Sequence, residues 1–484
     1  MSIAVVGAEP FMLNLELRMP FRFGIVTLRK LPHLYLRLAL EVDGEWHHGV
    51  AAESLPPKWF TKDPGKSFAD EMGELLDVIA TACNFAREAG RGRTPYELWR
   101  RTYAAQAAWG KRRRYPPLLW AFGVTLVERA MIEAFCRATG TTFAQAVRAN
   151  TLGASLGDHY GELAGREPAE LLPERPLRQI IVRHTVGLVD PLTDEEIAAG
   201  DRLDDGLPQS LEASIRAYGL THFKLKLWGD AEKDRERLKA IAAVIERNVT
   251  GSYAFTLDGN ENYHEIGPFR ELWESLVSDP SLKSFVDHLL FAEQPLRRDI
   301  TLSDEVARHL RGWRNRPPMI IDESDGELTS LAAALDVGYD GTSYKSCKGV
   351  FKGIANACLI EHRRRTSPRR RLIMSGEDLT TIGPVALLED LAALATLGIE
   401  HAERNGHHYF TGLAMLPPDV QAQVLAVHGD LYRRHERGYP TLDVRDGRIR
   451  IGSVVDAPFG IGFPFDPSRF TPIEEWTADS LGAI

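Results

Sequence analysis

From about residue 176 onward, short apolar runs alternate with stretches of helical periodicity. The runs are Arg178–Val186, His222–Leu227, Ala254–Asp258, Leu289–Glu293, Met319–Asp322, Gly341–Tyr344, Leu372–Met374 and Ile399–Glu403. Between them, Asp230–Ile245, Phe269–Val277, Leu328–Leu335, Gly353–Arg364 and Pro384–Leu397 repeat apolar residues at three- and four-residue spacing. Strands each followed by a helix predict an α/β fold, a (β/α)8 TIM-like barrel over residues 176–430.

The first 175 residues have a different texture. Arg22–Thr27 and His33–Val42 alternate as strands do, and Gly44 sits at a turn between Asp43 and Glu45. Phe68–Ala89 and Pro116–Thr139 read as helices, the second ending before Gly140, with Thr141 or Thr142 able to cap the next. The proline-rich loop 53–65 carries Trp59 and Phe60, which suits either a surface connection or a lid over a pocket. After residue 431 strand-like pieces return at Pro440–Val444 and Ile449–Ile451. A Gly- and Pro-rich stretch follows, so the tail 431–484 is expected to leave the barrel and pack back on the N-terminal part.

Composition narrows the function classes. A 44% hydrophobic and 26% charged chain of 484 residues suits a barrel plus a second module. The net charge of -9 gives no basis for a nucleic-acid or anionic-membrane partner, and the basic runs Lys111–Arg114 and Arg363–Arg371 read as solvated faces. Four cysteines without a CxxC pair point to a reducing compartment. The first residues lack a signal-peptide pattern and no apolar stretch reaches the roughly 20 residues of a membrane span, so the expected location is cytoplasmic.

Candidate chemistry lies at the strand ends. Lys224 and Lys226, two apart in His222–Leu227, share a side of the strand. Either residue on its own suits a solvated strand, just as Asp258, Glu293 and Asp322 singly suit turns and helix caps. As a set, the three acids end successive strands and are expected at one rim height of the barrel, where uncompensated carboxylates repel. A hard divalent cation, Mg2+, resolves the repulsion. Asn260 is placed to orient a water or a substrate oxygen. Lys345 or Lys348 faces the metal strands from the other side, and a desolvated lysine beside another lysine is expected to have a lowered pKa, as a general base requires.

These residues resemble the enolase superfamily, of the muconate lactonizing enzyme/mandelate racemase-like kind. Phe223-Lys-Leu-Lys226 is similar to its KxK motif. Asp258-Gly-Asn260, Glu293-Gln-Pro295 and Asp322-Glu-Ser324 resemble its three metal-ligand motifs, and Lys345-Ser-Cys-Lys-Gly349 its KxxKGG segment, with Val350 where a second glycine is usual. The resemblance implies an α+β capping domain (residues 1–175 with the tail) over the barrel mouth. It implies Mg2+ on Asp258, Glu293 and Asp322, and Lys226 and Lys348 as opposed acid/bases, with Lys224 assisting and Lys345 the alternative to Lys348. It also implies a homo-oligomer.

The activity it implies is abstraction of the α-proton of a small carboxylate substrate through an enediolate, as in racemases, epimerases, dehydratases and cycloisomerases. The alternative is a non-catalytic barrel that binds a metal and an acid. The expected specificity residues are Trp59 and Glu403. The eighth strand, His401-Ala-Glu-Arg-Asn405, lacks the Asp-x-Asp of the dipeptide epimerases, and Met374-Ser-Gly-Glu-Asp378 lacks the histidine of the mandelate racemase subgroup. Extra residues near 91–117 and 150–176 are expected to reshape the mouth or the oligomer contacts.

Overall fold

The computed structural model describes residues 1–482. Eight parallel strands form the barrel: β4 (Gln179–Val186), β5 (His222–Lys226), β6 (Ala254–Asp258), β7 (Leu289–Glu293), β8 (Met319–Ile321), β9 (Gly341–Tyr344), β10 (Ile373–Gly376) and β11 (His401–Arg404). They pair in chain order, and β11 closes on β4 through His401 opposite Ile181 and Glu403 opposite Arg183. Each strand is nearly buried on both faces, so it shows in sequence as a short apolar run. The crossover helices, among them Ala231–Asn248, Val350–Thr366 and Val385–Leu397, surround it.

Ahead of the barrel, β1 (Ile3–Phe23), β2 (Val26–Val42) and β3 (Glu45–Ser54) form an antiparallel sheet. The predicted strand over Arg22–Thr27 is instead the end of a long hairpin, with Phe23 opposite Val26 and Gly24 at φ +48° making the turn. The length of β1 is hidden in sequence because its pairing slips between Val5 and Gly7 and again between Glu16 and Phe21, which interrupts the alternation.

Three helices follow: α1 (Phe68–Glu88), α2 (Pro95–Arg113) and α3 (Pro117–Thr139). A capping box of Ser67 and Asp70 starts α1, and Gly140 in the left-handed conformation ends α3. Every residue of α3 from Leu118 to Cys136 is buried, as expected of a helix that is apolar on nearly all sides. It lies between the sheet, α1, α2 and the barrel. Arg129 on it is fully buried and donates to Glu53, to Glu389 and to the Ala52 carbonyl, tying the cap to a barrel helix.

The extra residues near 91–117 supply α2, whose Gln106 donates to the Val78 and Trp120 carbonyls rather than facing the mouth. Those near 150–176 run along helix Val350–Thr366, where the Tyr160 hydroxyl donates to Asn356 at 2.6 Å. The tail divides. Arg448–Arg450 adds an antiparallel strand to β4 of the barrel, whereas Thr471–Pro472 adds one to β1, and Trp476 donates to Asn14. No helix among the described residues is long and apolar enough to cross a membrane.

Candidate active site

Strand register sets the row of functional groups. Lys226 lies opposite Asp258, and Asp258 opposite Glu293. Glu293 pairs with Ile320, so Asp322 begins its loop two residues beyond the row instead of standing level with the other two acids. Gln294, at φ +34°, fastens this corner. Its side-chain oxygen accepts from the Asp322 and Ser324 amides, and its nitrogen donates to Thr301, Ser324 and the Leu296 carbonyl.

Lys224 is the hub. Its ammonium lies 2.9 Å from Asp258, 2.7 Å from Glu293, 2.6 Å from Glu377 and 2.9 Å from Glu403. Lys226 is 2.6 Å from Asp258. Arg183 on β4 pairs with Glu377, and Thr185 donates to Glu403 at 2.7 Å. Asp322 holds two lysines, Lys345 at 2.6 Å and Lys348 at 2.8 Å. Sequence reasoning missed Glu377 and Arg183. An arginine directly after the apolar run Ile180–Val182, two residues from Thr185 and so on the same face, was the signal available.

Burial works against the charge on Lys224, but the four surrounding carboxylates hold its pKa well above the ordinary value. Burial likewise opposes ionisation of Asp322, and Lys345 and Lys348 overcome it and hold the acid well below its usual range. Glu293 is pushed well above by burial and by Asp258 and Glu377. The lowered pKa expected of a base lysine is not found at Lys345. Burial would lower it, but the Asp322 carboxylate in direct contact raises it.

The two lysines of Lys345-Ser-Cys-Lys348 are not in a regular strand. Ser346–Lys348 is a 3-10 turn, so both reach Asp322. Lys345 extends into the cavity at the barrel mouth, 4.6 Å from the centre of the Trp59 ring, facing Lys226 across it. Lys348, the resemblance's choice for the second acid/base, instead donates to the Ser343 hydroxyl at 2.6 Å and the Asp322 carbonyl at 2.8 Å, and does not line that cavity.

Asn260, Glu403 and Asn405 also line the cavity, and Phe21, Phe23 and Trp59 cover it. The loop holding Trp59 and Phe60 is therefore a cover, with both rings buried. Arg298 from the barrel donates to the Trp59 and Phe60 carbonyls at 2.8 and 2.9 Å, and Lys62 reaches the Asn260 carbonyl. The cavity is partly open and offers about 20 Å³, room for one or two waters.

The donors suit a hard divalent cation in kind. Asp258, Glu293 and Asp322 are carboxylates, and wholly buried Glu293 meets the Lys224 ammonium with no further donor on either oxygen. The expected convergence on one point is not found, because lysines stand against these acids. Among the described residues no three His, Cys, Asp or Glu side chains come together closely enough to hold a metal ion.

No protein-family model and no curated protein matches the chain. Solved structures match it nearly end to end. N-succinyl Arg/Lys racemase from Bacillus cereus is 15% identical with a TM-score of 0.61, over 97% of this chain and 98% of that one. Muconate lactonizing enzyme from Pseudomonas fluorescens, complexed with muconolactone, is 13% identical with a TM-score of 0.60, over 96% and 98%. An enolase from Bradyrhizobium, complexed with magnesium and mandelic acid, is 14% identical with a TM-score of 0.57, over 93% and 94%. The chain thus has the fold of the enolase superfamily, of the mandelate racemase/muconate lactonizing enzyme-like kind.

Proposed function

We propose that the protein is an enolase-type isomerase or lyase that removes the proton α to a carboxylate. The observation that carries this reading is the pair Lys226 and Lys345, on opposite walls of one covered cavity and each held by a different acid. One amine takes the proton, and the other can return one to the opposite face or protonate a leaving group. Lys348, hydrogen-bonded behind Asp322, is a positioning residue here.

Five basic groups (Lys224, Lys226, Lys345, Lys348 and Arg183) face five acidic ones (Asp258, Glu293, Asp322, Glu377 and Glu403), a one-for-one balance when all are ionised. Mg2+ held by Asp258, Glu293 and Asp322 would supply Lewis acidity toward the substrate carboxylate and leave an excess of positive charge. That excess suits the negative charge that develops on proton removal.

The test is α-proton exchange in D2O with pools of acid sugars, amino acid derivatives and dipeptides, read by mass spectrometry. Exchange is expected with Mg2+, is lost with EDTA, and disappears in Lys226→Ala and Lys345→Ala while Mn2+ binding, read by electron paramagnetic resonance, persists. Lys348→Met is expected to retain exchange. Full exchange in both alanine variants would sink the assignment.

A binding-only barrel is the second reading, favoured by the Lys224 ammonium standing between Asp258 and Glu293. It predicts acid binding without exchange and without dependence on Mg2+.

A further inference from the structure

The walls of the cavity carry chemistry that the proton-abstraction reading does not use. Asn405, just past β11, is 2% exposed, and its carboxamide oxygen has no hydrogen-bond partner. Its backbone is fixed, because its amide donates to Asp378 at 3.1 Å. Asn260, just past β6, is 6% exposed and its carboxamide oxygen is also unpartnered. A buried carboxamide oxygen left unpaired is costly, so two of them lining one cavity point to a ligand that completes them.

The charged groups of the same cavity are already engaged. Asp378 accepts from the Thr381 and Asn405 amides, and Glu403 accepts from Lys224, Thr185 and the Asp378 amide. Both carboxylates already have a counter-ion, Glu403 in Lys224 at 2.9 Å and Asp378 in Arg404 at 3.9 Å, so neither is left for a substrate ammonium. Among the described residues the only cations lining the cavity are Lys226 and Lys345, so there is none to spare for a second substrate carboxylate.

Resting on the reading above, we propose that the acid taken here carries one carboxylate, no other charge, and a hydroxyl or amide that both gives and takes hydrogen bonds with Asn405 and Asn260. A neutral group leaves the engaged carboxylates undisturbed. A charged one would be buried without a counter-ion, at a cost well above that of a hydrogen bond.

Four acids sharing a benzyl group test this: 3-phenyllactate, N-acetylphenylalanine, phenylalanine and benzylsuccinate. They carry, in turn, a hydroxyl, a neutral amide, an ammonium and a second carboxylate. Calorimetric titration of the Mg2+-treated protein is expected to give at least one of the first two an affinity tenfold or more above both of the others. The stronger of the first two identifies the group recognised.

Asn405→Leu is expected to erase that preference, bringing the four affinities within a few-fold of one another. Asn405→Asp, with melting checked against the parent, is expected to move the preference toward phenylalanine. Equal affinities, a preference for a charged acid, or a preference unchanged in Asn405→Leu would overturn the proposal. Solvent exchange measured on the same samples separates the two ideas. Preference without exchange would leave the recognition intact and remove the proton chemistry, whereas exchange without preference would do the reverse.

Discussion

At Asp322 two lysines three residues apart reach one carboxylate, which a strand would not permit and a 3-10 turn does. The residue types of this site were legible in sequence because each acid ends an apolar run. Which lysine meets the cavity was not, since that depends on one turn of backbone. Glu377 was overlooked for a related reason, as its role rests on partners from β4 and β5 that only closure of the barrel brings near.

Glu128 offers a separate residue-scale prediction. It is fully buried on α3 and accepts from the Phe351 amide at 2.6 Å. Burial raises its pKa to about 7, against the lowering effect of the Phe351 and Val350 amides. The folded form therefore binds a proton that the unfolded chain has already released, and stability from this group is lost as pH rises from 4.5 through 7. Glu128→Gln removes that loss. Its stability relative to the parent is expected to climb over this range, by about 3 kcal/mol at most, and to level off above it, as measured by denaturant unfolding at pH 5 and pH 8.

Among the elements, α3 is packed so closely that glycine is required on both sides. A Cβ at Gly123 would come within 2.2 Å of the Val78 carbonyl oxygen on α1, and one at Gly49 on β3 within 2.1 Å of the Ala130 carbonyl oxygen. Gly123→Ala is expected to part α1 from α3 and cost about 1–3 kcal/mol, seen as a lower melting temperature. Gly267→Ala, in helix Ile266–Ser278 with nothing within 4 Å of the added carbon, serves as the control and should leave melting unchanged or slightly raised. Barrel strands such as Ala254–Asp258 and Leu289–Glu293 were readable to the residue, because a strand buried on both faces is a bounded apolar run. β1 was not, because bulges and Pro10 and Pro20 break its period.

On the scale of the whole molecule, the cap and barrel meet at Arg298, which holds the covering loop by two carbonyls and pairs with Glu261 at 2.7 Å. Arg298→Ala is expected to speed amide hydrogen exchange in residues 55–66, read by mass spectrometry, while the barrel strands keep the parent rates. Unchanged exchange in that loop would mean that its own packing, with Trp59 edge-on to Phe60, suffices.

The pairing of β1 with residues 471–472, and of Asn14 with Trp476 across 462 residues of chain, has a consequence for how the molecule is made. The sheet whose hairpin covers the mouth begins ahead of the barrel and is completed only after it. Eight barrel strands come between its two halves. At roughly 5–20 residues per second, the stretch from β11 to residue 471 takes on the order of ten seconds to appear. During that interval a nascent barrel can already be closed while the sheet ahead of it still lacks the strand that pairs with Phe11 and Met12.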